Sequence, residues 1–421
     1  VTAPRPWQAL LDGRLADRAL RVAGELAAAL VAGVDHAAAP HPAVAATAGL
    51  VMHYLARSTG TDEPVAAAER MMARAVDGIA DHVLTSALHG GLSGVGWMLA
   101  HVLDRAGASR NDDPDEDPDD DPVDAIDAAL LDALEAHAPW RGDLDLISGL
   151  VGIGVHAVQR RHRPAGPAMV ARIVAHLLHA ARPTGRGIGI WRPPEQLSPR
   201  SLAVFPAGCF DLGMAHGSAG VVAWLADVHR AGLDSSASAR LLDGSVTWLL
   251  AHLADEDGWP YPAQVAAAGD RRLPGRAAWC YGDPGTAVAL YKAGAVRGNP
   301  DWQQRGLALA HRATALAPER TGIENGFLCH GHLGQAHLYN RLGQATGSHE
   351  LLRIAIDGYA RALDLGEQHG GFAVAWPATA SPEPAIEGTP LAGTAGVALA
   401  LLAGATAIEP RWDDLLLLGA V

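Results

Sequence analysis

The sequence predicts an all-α fold, an α/α toroid in which seven inner and seven outer helices form a double barrel with a small, partly β insertion. Three observations predict it. A G-x-x-G pair, or a close relative, recurs seven times along the 421 residues. Each recurrence opens a helix that is apolar nearly all round, the pattern of a buried helix. Between them run amphipathic segments with apolar residues three and four apart and charges opposite. Hydrophobic residues make up 49% of the chain but aromatics only 5%. The core is therefore built from Ala, Leu and Val, which suits close-packed helices better than sheets.

The outer candidates are Arg18–Val31, Val65–Val83, Val123–His137, Met169–Arg182, Ser236–Leu253, Asp301–Ala315 and Glu350–Leu363. The inner ones follow Ala46/Gly49, Gly91/Gly94, Gly149/Gly152, Gly217/Gly220, Gly282/Gly285, Gly331/Gly334 and Gly393/Gly396. The second members of these pairs stand 45 to 68 residues apart, the size of a helical hairpin with variable loops. Repeat architectures escape the usual limit on domain size, so residues 1–421 read as one domain. The glycines are expected to let inner helices start close together and to leave their first backbone amides accessible at one rim.

Two segments interrupt the pattern. Residues 183–211 are rich in Pro and Gly with short alternating runs, and read as a partly β rim insertion between the third and fourth inner helices, a candidate for peptide binding. Residues 111–124 are an acidic run, expected to be a mobile, solvated loop. The formal net charge of −14 offers no footprint for nucleic acid. The apolar stretch Leu391–Ile408 is Gly- and Ala-rich and reads as a buried helix, so no integral membrane protein is expected. The first residues carry charges where a signal peptide needs an apolar core. Three cysteines, an odd number, fit reduced thiols and a cytoplasmic setting.

The chemistry lies in Trp279-Cys280-Tyr281-Gly282 and Cys329-His330-Gly331. Two thiolates and an imidazole make a three-ligand set for one Zn²⁺ with a fourth position open, as catalysis requires. They stand just ahead of the glycines of neighbouring repeats, so Cys280 can meet Cys329 and His330 across one inter-helix gap. His216 precedes the glycine of the repeat before, and Asp145 lies four residues ahead of Gly149 in the repeat before that, which places both at the same rim. Cys209 has no such setting and reads as a small apolar residue.

Taken in order, DLISGLVG, LGMAHGSAG, RAAWCYGDPG and LCHGHLG resemble the lanthionine synthetase C-like proteins, the lanthipeptide cyclases, over essentially the whole chain. The resemblance implies the same seven-plus-seven toroid. It places the zinc ligands on Cys280, Cys329 and His330, and further active-site positions on Asp145, His216 and Arg276. It implies addition of a peptide cysteine thiol to dehydroalanine or dehydrobutyrine, giving a thioether ring. His216 would act as acid or base, Asp145 would orient it, and Arg276, one helical turn before Cys280, would hold the enolate oxygen. The length resembles the stand-alone class I cyclases. Their partners are a dehydrated precursor peptide with its leader, a dehydratase and an exporter, a complex that would hold the enzyme peripherally at the membrane. The alternatives are a related enzyme that adds glutathione or another small thiol to dehydroamino acids, and a catalytically silent peptide-binding toroid. Glycosidase chemistry would need two carboxylates at the mouth, where only Asp145 stands out. The chain departs from the family pattern where the first repeat lacks its first glycine and where the last reads EGTPLAGTAG.

Overall fold

Amphipathic and fully apolar helices alternate along the chain, because each amphipathic helix needs a partner for its one apolar face and each apolar helix needs to be covered on all sides. The computed structural model describes residues 6–106, 121–253, 260–266, 271–323, 325–372, 389–391, 393–419 and 421. Within these, each inner helix packs on the outer helix that follows it in the chain, and the last inner helix packs on the first outer one. Outer α1 (Gly13–His36) comes first, inner α2 (Pro42–Thr59) packs on outer α3 (Asp62–Ile79), inner α4 (Leu92–Ala106) on outer α5 (Asp124–Ala136), and inner α6 (Leu150–Gln159) on the outer helix after it. Then come α7 (Ala165–Ala180), the short α8 (Pro199–Val204) and inner α9 (Ser218–Arg230). Outer α10 (Ser236–Leu250) precedes inner α11 (Asp283–Arg297), and outer α12 (Pro300–Thr314) and one-turn α13 (Pro318–Thr321) precede inner α14 (His332–Thr346). Outer α15 (His349–Gln368) and inner α16 (Thr394–Ala405) complete the set. Each inner helix packs on the next, from α2 through α4, α6, α9, α11 and α14 to α16, which returns to α2 and closes the ring. Among the described residues no helix is long and apolar enough to cross a membrane.

The two kinds of helix begin differently. Several outer helices start at a polar side chain that caps the first amides: Ser235 at α10, Asn299 at α12 and Ser348 at α15. Inner helices α6, α9, α14 and α16 start at Gly149, Gly217, Gly331 and Gly393 with no side-chain cap. At α6, α9 and α14 these amides are not open at the rim, contrary to the sequence expectation. The loop before each of these three helices folds back over its end and offers carbonyls seven residues upstream. Leu150 N–H donates to Asp143, Gly152 to Asp145, Gly220 to Gly213 and His332 to Asn325, at 2.8–3.3 Å. Glycine is required because that loop lies so close. A Cβ on Gly94, Gly220 or Gly334 would stand 1.9, 2.3 or 1.7 Å from the carbonyl oxygen six residues back.

The β structure is larger than the 183–211 segment. Strands β1 (Ala181–Thr184), β2 (Gly187–Arg192) and β3 (Cys209–Asp211) are joined by β4 (Pro262–Ala266) and β5 (Arg272–Pro274) in one antiparallel sheet ordered as in the chain. The second hairpin was not visible in the sequence, since PAQVA and RLP are too short and too polar to read as strands. The acidic run is also corrected at its end. Residues 111–120 lie outside the described residues, but Asp121 and Asp124 are anchored, each 2.7 Å from the buried Arg160 guanidinium. The basic pair Arg160 and Arg163 on the neighbouring hairpin supplies the partner that composition alone does not show.

A C-terminal segment, from a 3-10 turn at Arg411–Leu416 through Leu418, runs inside the ring. Trp412 N–H donates to Tyr54 Oη of α2 at 3.0 Å. Asp413 accepts from His337 and Arg341 of α14 at 2.7 and 2.6 Å. The Leu417 carbonyl accepts from Lys292 of α11 at 2.9 Å. The charges in this interior are thus paired, as burial demands.

Candidate metal centre and rim site

The rim loops are sewn to one another by backbone hydrogen bonds. His89 N–H donates to the Ile147 carbonyl at 3.1 Å, Leu146 to Ala215 at 3.1 Å, Ala215 to Cys280 at 3.2 Å and Cys280 to Cys329 at 3.3 Å. Each loop stands two or three residues ahead of its first glycine, so equivalent repeat positions become neighbours in space. This seam brings Cys280, Cys329 and His330 together, with one donor atom from each lying within 4.8 Å of the others. A tetrahedral zinc with Zn–S near 2.3 Å would place two sulfurs roughly 3.8 Å apart, inside the spread of this set. Soft thiolates and an imidazole suit zinc, so the donor set fits the ion by chemistry and by reach. A hydrogen bond from Cys329 lowers the Cys280 thiol pKa over the opposing effect of burial, aided by His330 and the Arg276 charge. The same bond, with burial, pushes the Cys329 thiol up.

His216 and Asp145 meet as the repeat positions require. His216 Nδ1–H donates to Asp145 Oδ2 at 2.5 Å, while Ser148 N–H donates to Asp145 Oδ1 at 2.9 Å. The other ring nitrogen, Nε2, is left for chemistry, and the His216 side chain is 34% exposed. Burial alone would lower the imidazole pKa, but the hydrogen bond and charge of Asp145, with Asp211 behind them, raise it. Asp145 feels burial in the other direction, yet the same bond, the charges of His216 and Arg192 and the Ser148 amide hold its carboxyl low. Beside the pair is a cavity of about 10 Å³, room for a single water, lined by Asp145, His216, Ile190, Arg192 and Val221 among others. A larger cavity of about 210 Å³ lies against the far ends of α6 and α9 beside Trp97 and Trp224, away from the ligand set.

Arg276 is not one helical turn before Cys280. The segment from 275 to 281 is irregular and doubles back, with Arg276 N–H donating to the Tyr281 carbonyl at 3.3 Å and Gly282 at φ 101°. Gly282 needs that left-handed backbone and the missing Cβ, which would otherwise stand 1.7 Å from the Arg276 carbonyl. The Arg276 side chain packs on Gly322 and makes no ion pair among the described residues. Its charge reaches both cysteines.

Three further groups border the site without having stood out in the sequence. The Tyr281 ring stacks on His216 at 6.0 Å and 29°. Its hydroxyl donates to Asp211 Oδ2 at 3.3 Å, and Arg192 Nη1 lies 3.7 Å from the same oxygen. A signal for one of them was present. Six residues ahead of each first glycine stands a polar residue: Thr85, Asp143, Asp211, Arg276 and Asn325. Three of these, Thr85, Asp211 and Asn325, accept from the amide two residues on, starting the rim loop with a side-chain turn.

Known proteins match this architecture. The family description Lanthionine synthetase C-like protein fits residues 45–417. The Nisin biosynthesis protein NisC of Lactococcus lactis subsp. lactis is 25% identical over 207 residues, 46% of this chain and 47% of that protein. That match spans about half the length of this curated relative. A solved structure of a nisin cyclase superposes with a TM-score of 0.73 at 17% identity, covering 94% of this chain and 97% of the other.

Proposed function

Because the chain belongs to the lanthionine synthetase C-like family, we propose that it is a zinc-dependent lanthipeptide cyclase closing thioether rings in a dehydrated precursor peptide. The observation that carries the reading is the convergence of Cys280, Cys329 and His330 beside the half-buried His216, itself bonded to the buried Asp145. These three residues would hold the ion. When bound, zinc lowers the pKa of a coordinated thiol and keeps its sulfur nucleophilic, and two protein thiolates bias the centre toward a thiol over water.

The protein's own groups then manage the proton. A peptide thiol adds through sulfur to the β-carbon of dehydroalanine or dehydrobutyrine, and the π pair moves to the α-carbon and its carbonyl oxygen as an enolate. His216 Nε2 receives the thiol proton and returns it to the α-carbon, so the step balances without an outside acid. Asp145 fixes the tautomer and favours the imidazolium in between. Arg276, facing the ligand loop with no carboxylate to neutralise it among the described residues, would meet the enolate oxygen. A leader-bearing precursor, with a dehydratase and an exporter as neighbours in the cytoplasm, is the setting this reaction implies.

The test is direct. Purified protein should carry about one zinc per chain, and Cys280→Ala should lose the metal and ring formation together, read by mass spectrometry after thiol blocking. His216→Asn should keep zinc and lose about 10²–10⁴-fold in rate. Full cyclisation by a zinc-free variant overturns the reading, and so does addition of glutathione to a dehydrated peptide with no intramolecular ring.

A further inference from the structure

We propose that Asp211, at the end of β3, is a positioning residue for this site: it holds the Tyr281 phenol so that the tyrosine ring stays stacked on His216. In its kinetic part the proposal rests on the cyclase reading. Asp211 is 1% exposed, and its carboxylate is surrounded by donors. Gly213 N–H donates to Oδ1 at 3.0 Å, and Gln264 Nε2 and the Tyr281 hydroxyl donate to Oδ2 at 3.1 and 3.3 Å. Gln264 is the cross-strand partner of Asp211 in the β3–β4 register. Its amide turns the NH₂ end to the carboxylate, which can only accept, and its Oε1 accepts from Ser201 Oγ at 2.9 Å. The Tyr281 proton therefore has one acceptor, and the carboxylate is aimed at it by a frame of fixed donors.

The ring is held elsewhere as well. A Cβ on Gly213 would stand 2.5 Å from the tyrosine ring, so glycine there lets the loop press against it. Tyr281 is bonded on one side to the ligand Cys280 and on the other to the left-handed Gly282. The turn onto Gly213 asks only for one side-chain acceptor at 211, as Thr85 and Asn325 supply in their own loops, and leaves the second carboxylate oxygen unexplained. A buried carboxylate directed at the neighbour of a metal ligand costs desolvation and needs another purpose. It joins the β insertion to the His216 ring and gives that insertion a part in the reaction.

A double-mutant cycle between Asp211→Asn and Tyr281→Phe tests this, with zinc content measured on every protein. Asp211→Asn should keep its zinc, leave the peptide KM within about twofold and lower kcat about 10- to 100-fold, the scale of a slight misplacement. In the Tyr281→Phe background it should cost no more than about twofold, because the bond it acts through is already gone. The chain has 6 tyrosines, so a ¹³Cζ-tyrosine NMR spectrum resolves the phenol directly. The signal lost in Tyr281→Phe should shift in Asp211→Asn, whether or not any peptide is cyclised. Equal costs in both backgrounds, loss of zinc, or an unmoved tyrosine signal each overturn the proposal. A wild-type protein that cyclises nothing while the tyrosine signal still shifts would instead overturn the cyclase reading.

Discussion

At the residue scale, the His216–Asp145 bond is expected to set the working pH of the proposed reaction. The acceptor's charge raises the imidazole pKa over the opposing pull of burial, and His216 must be neutral to take the thiol proton, so Asp145→Asn should move the acidic limb of the rate profile to lower pH. A pH series of single-turnover ring closure checks this. The same pair links pH to stability. His216, with a raised folded value, stabilises below its unfolded value near 6.5 and loses that contribution as pH rises through the folded one. Asp145, with a depressed value, stabilises above about 3.8 and loses its contribution as pH falls through its folded value. The meeting of His216 with Asp145 and of Cys280 with Cys329 and His330 was legible because repeats convert sequence offsets into positions around a ring. Tyr281 lay inside the motif and was passed over because a phenol beside a thiol has no ligand chemistry of its own. Asp211 and Arg192 were harder to see, since their place depends on the register of strands too short to recognise.

At the element scale, the rim loops determine the geometry, and the glycines were read for only half their work. They bring chains close together, as expected, but what comes close is the loop's own carbonyls, and these use up the helix amides. The i to i−7 pattern has no hydropathy signature, so periodicity could not disclose it. Gly334→Ala would force a methyl to within 1.7 Å of the Leu328 carbonyl, one residue before Cys329. We expect a loss of about 1–3 kcal/mol and weaker zinc retention against a chelator, read by denaturation and by metal analysis. The neighbouring Cys329→Ser should weaken the metal with much less effect on stability. Three of the outer helices, α10, α12 and α15, carry side-chain caps, and the outer bounds fell within a few residues of those read from amphipathic periodicity.

At the scale of the whole molecule, the ring is closed by α16 on α2 and filled by the segment from Arg411 through Leu418. Asp413 is fully buried between His337 and Arg341. Asp413→Ala leaves the guanidinium without this partner in the interior and should lower stability by about 3–5 kcal/mol, measured by urea unfolding of the zinc-loaded protein. Alternation of apolar and amphipathic stretches was enough to predict the ring, because a buried helix surrounded by others has one kind of surface. The filling of its centre was not predicted, since RWDDLLLL carries too much charge to read as core until its partners are known.

The seam of amides and carbonyls that joins the rim loops also orders events in time. Cys280 takes its place by donating to the Cys329 loop, and the Ala215 loop takes its place from Cys280. No ligand loop is shaped by its own helix alone. High-affinity metal capture should therefore come late in folding, after the distant repeats have met, and the moment at which zinc becomes resistant to a chelator would serve as a clock for closure of the circle.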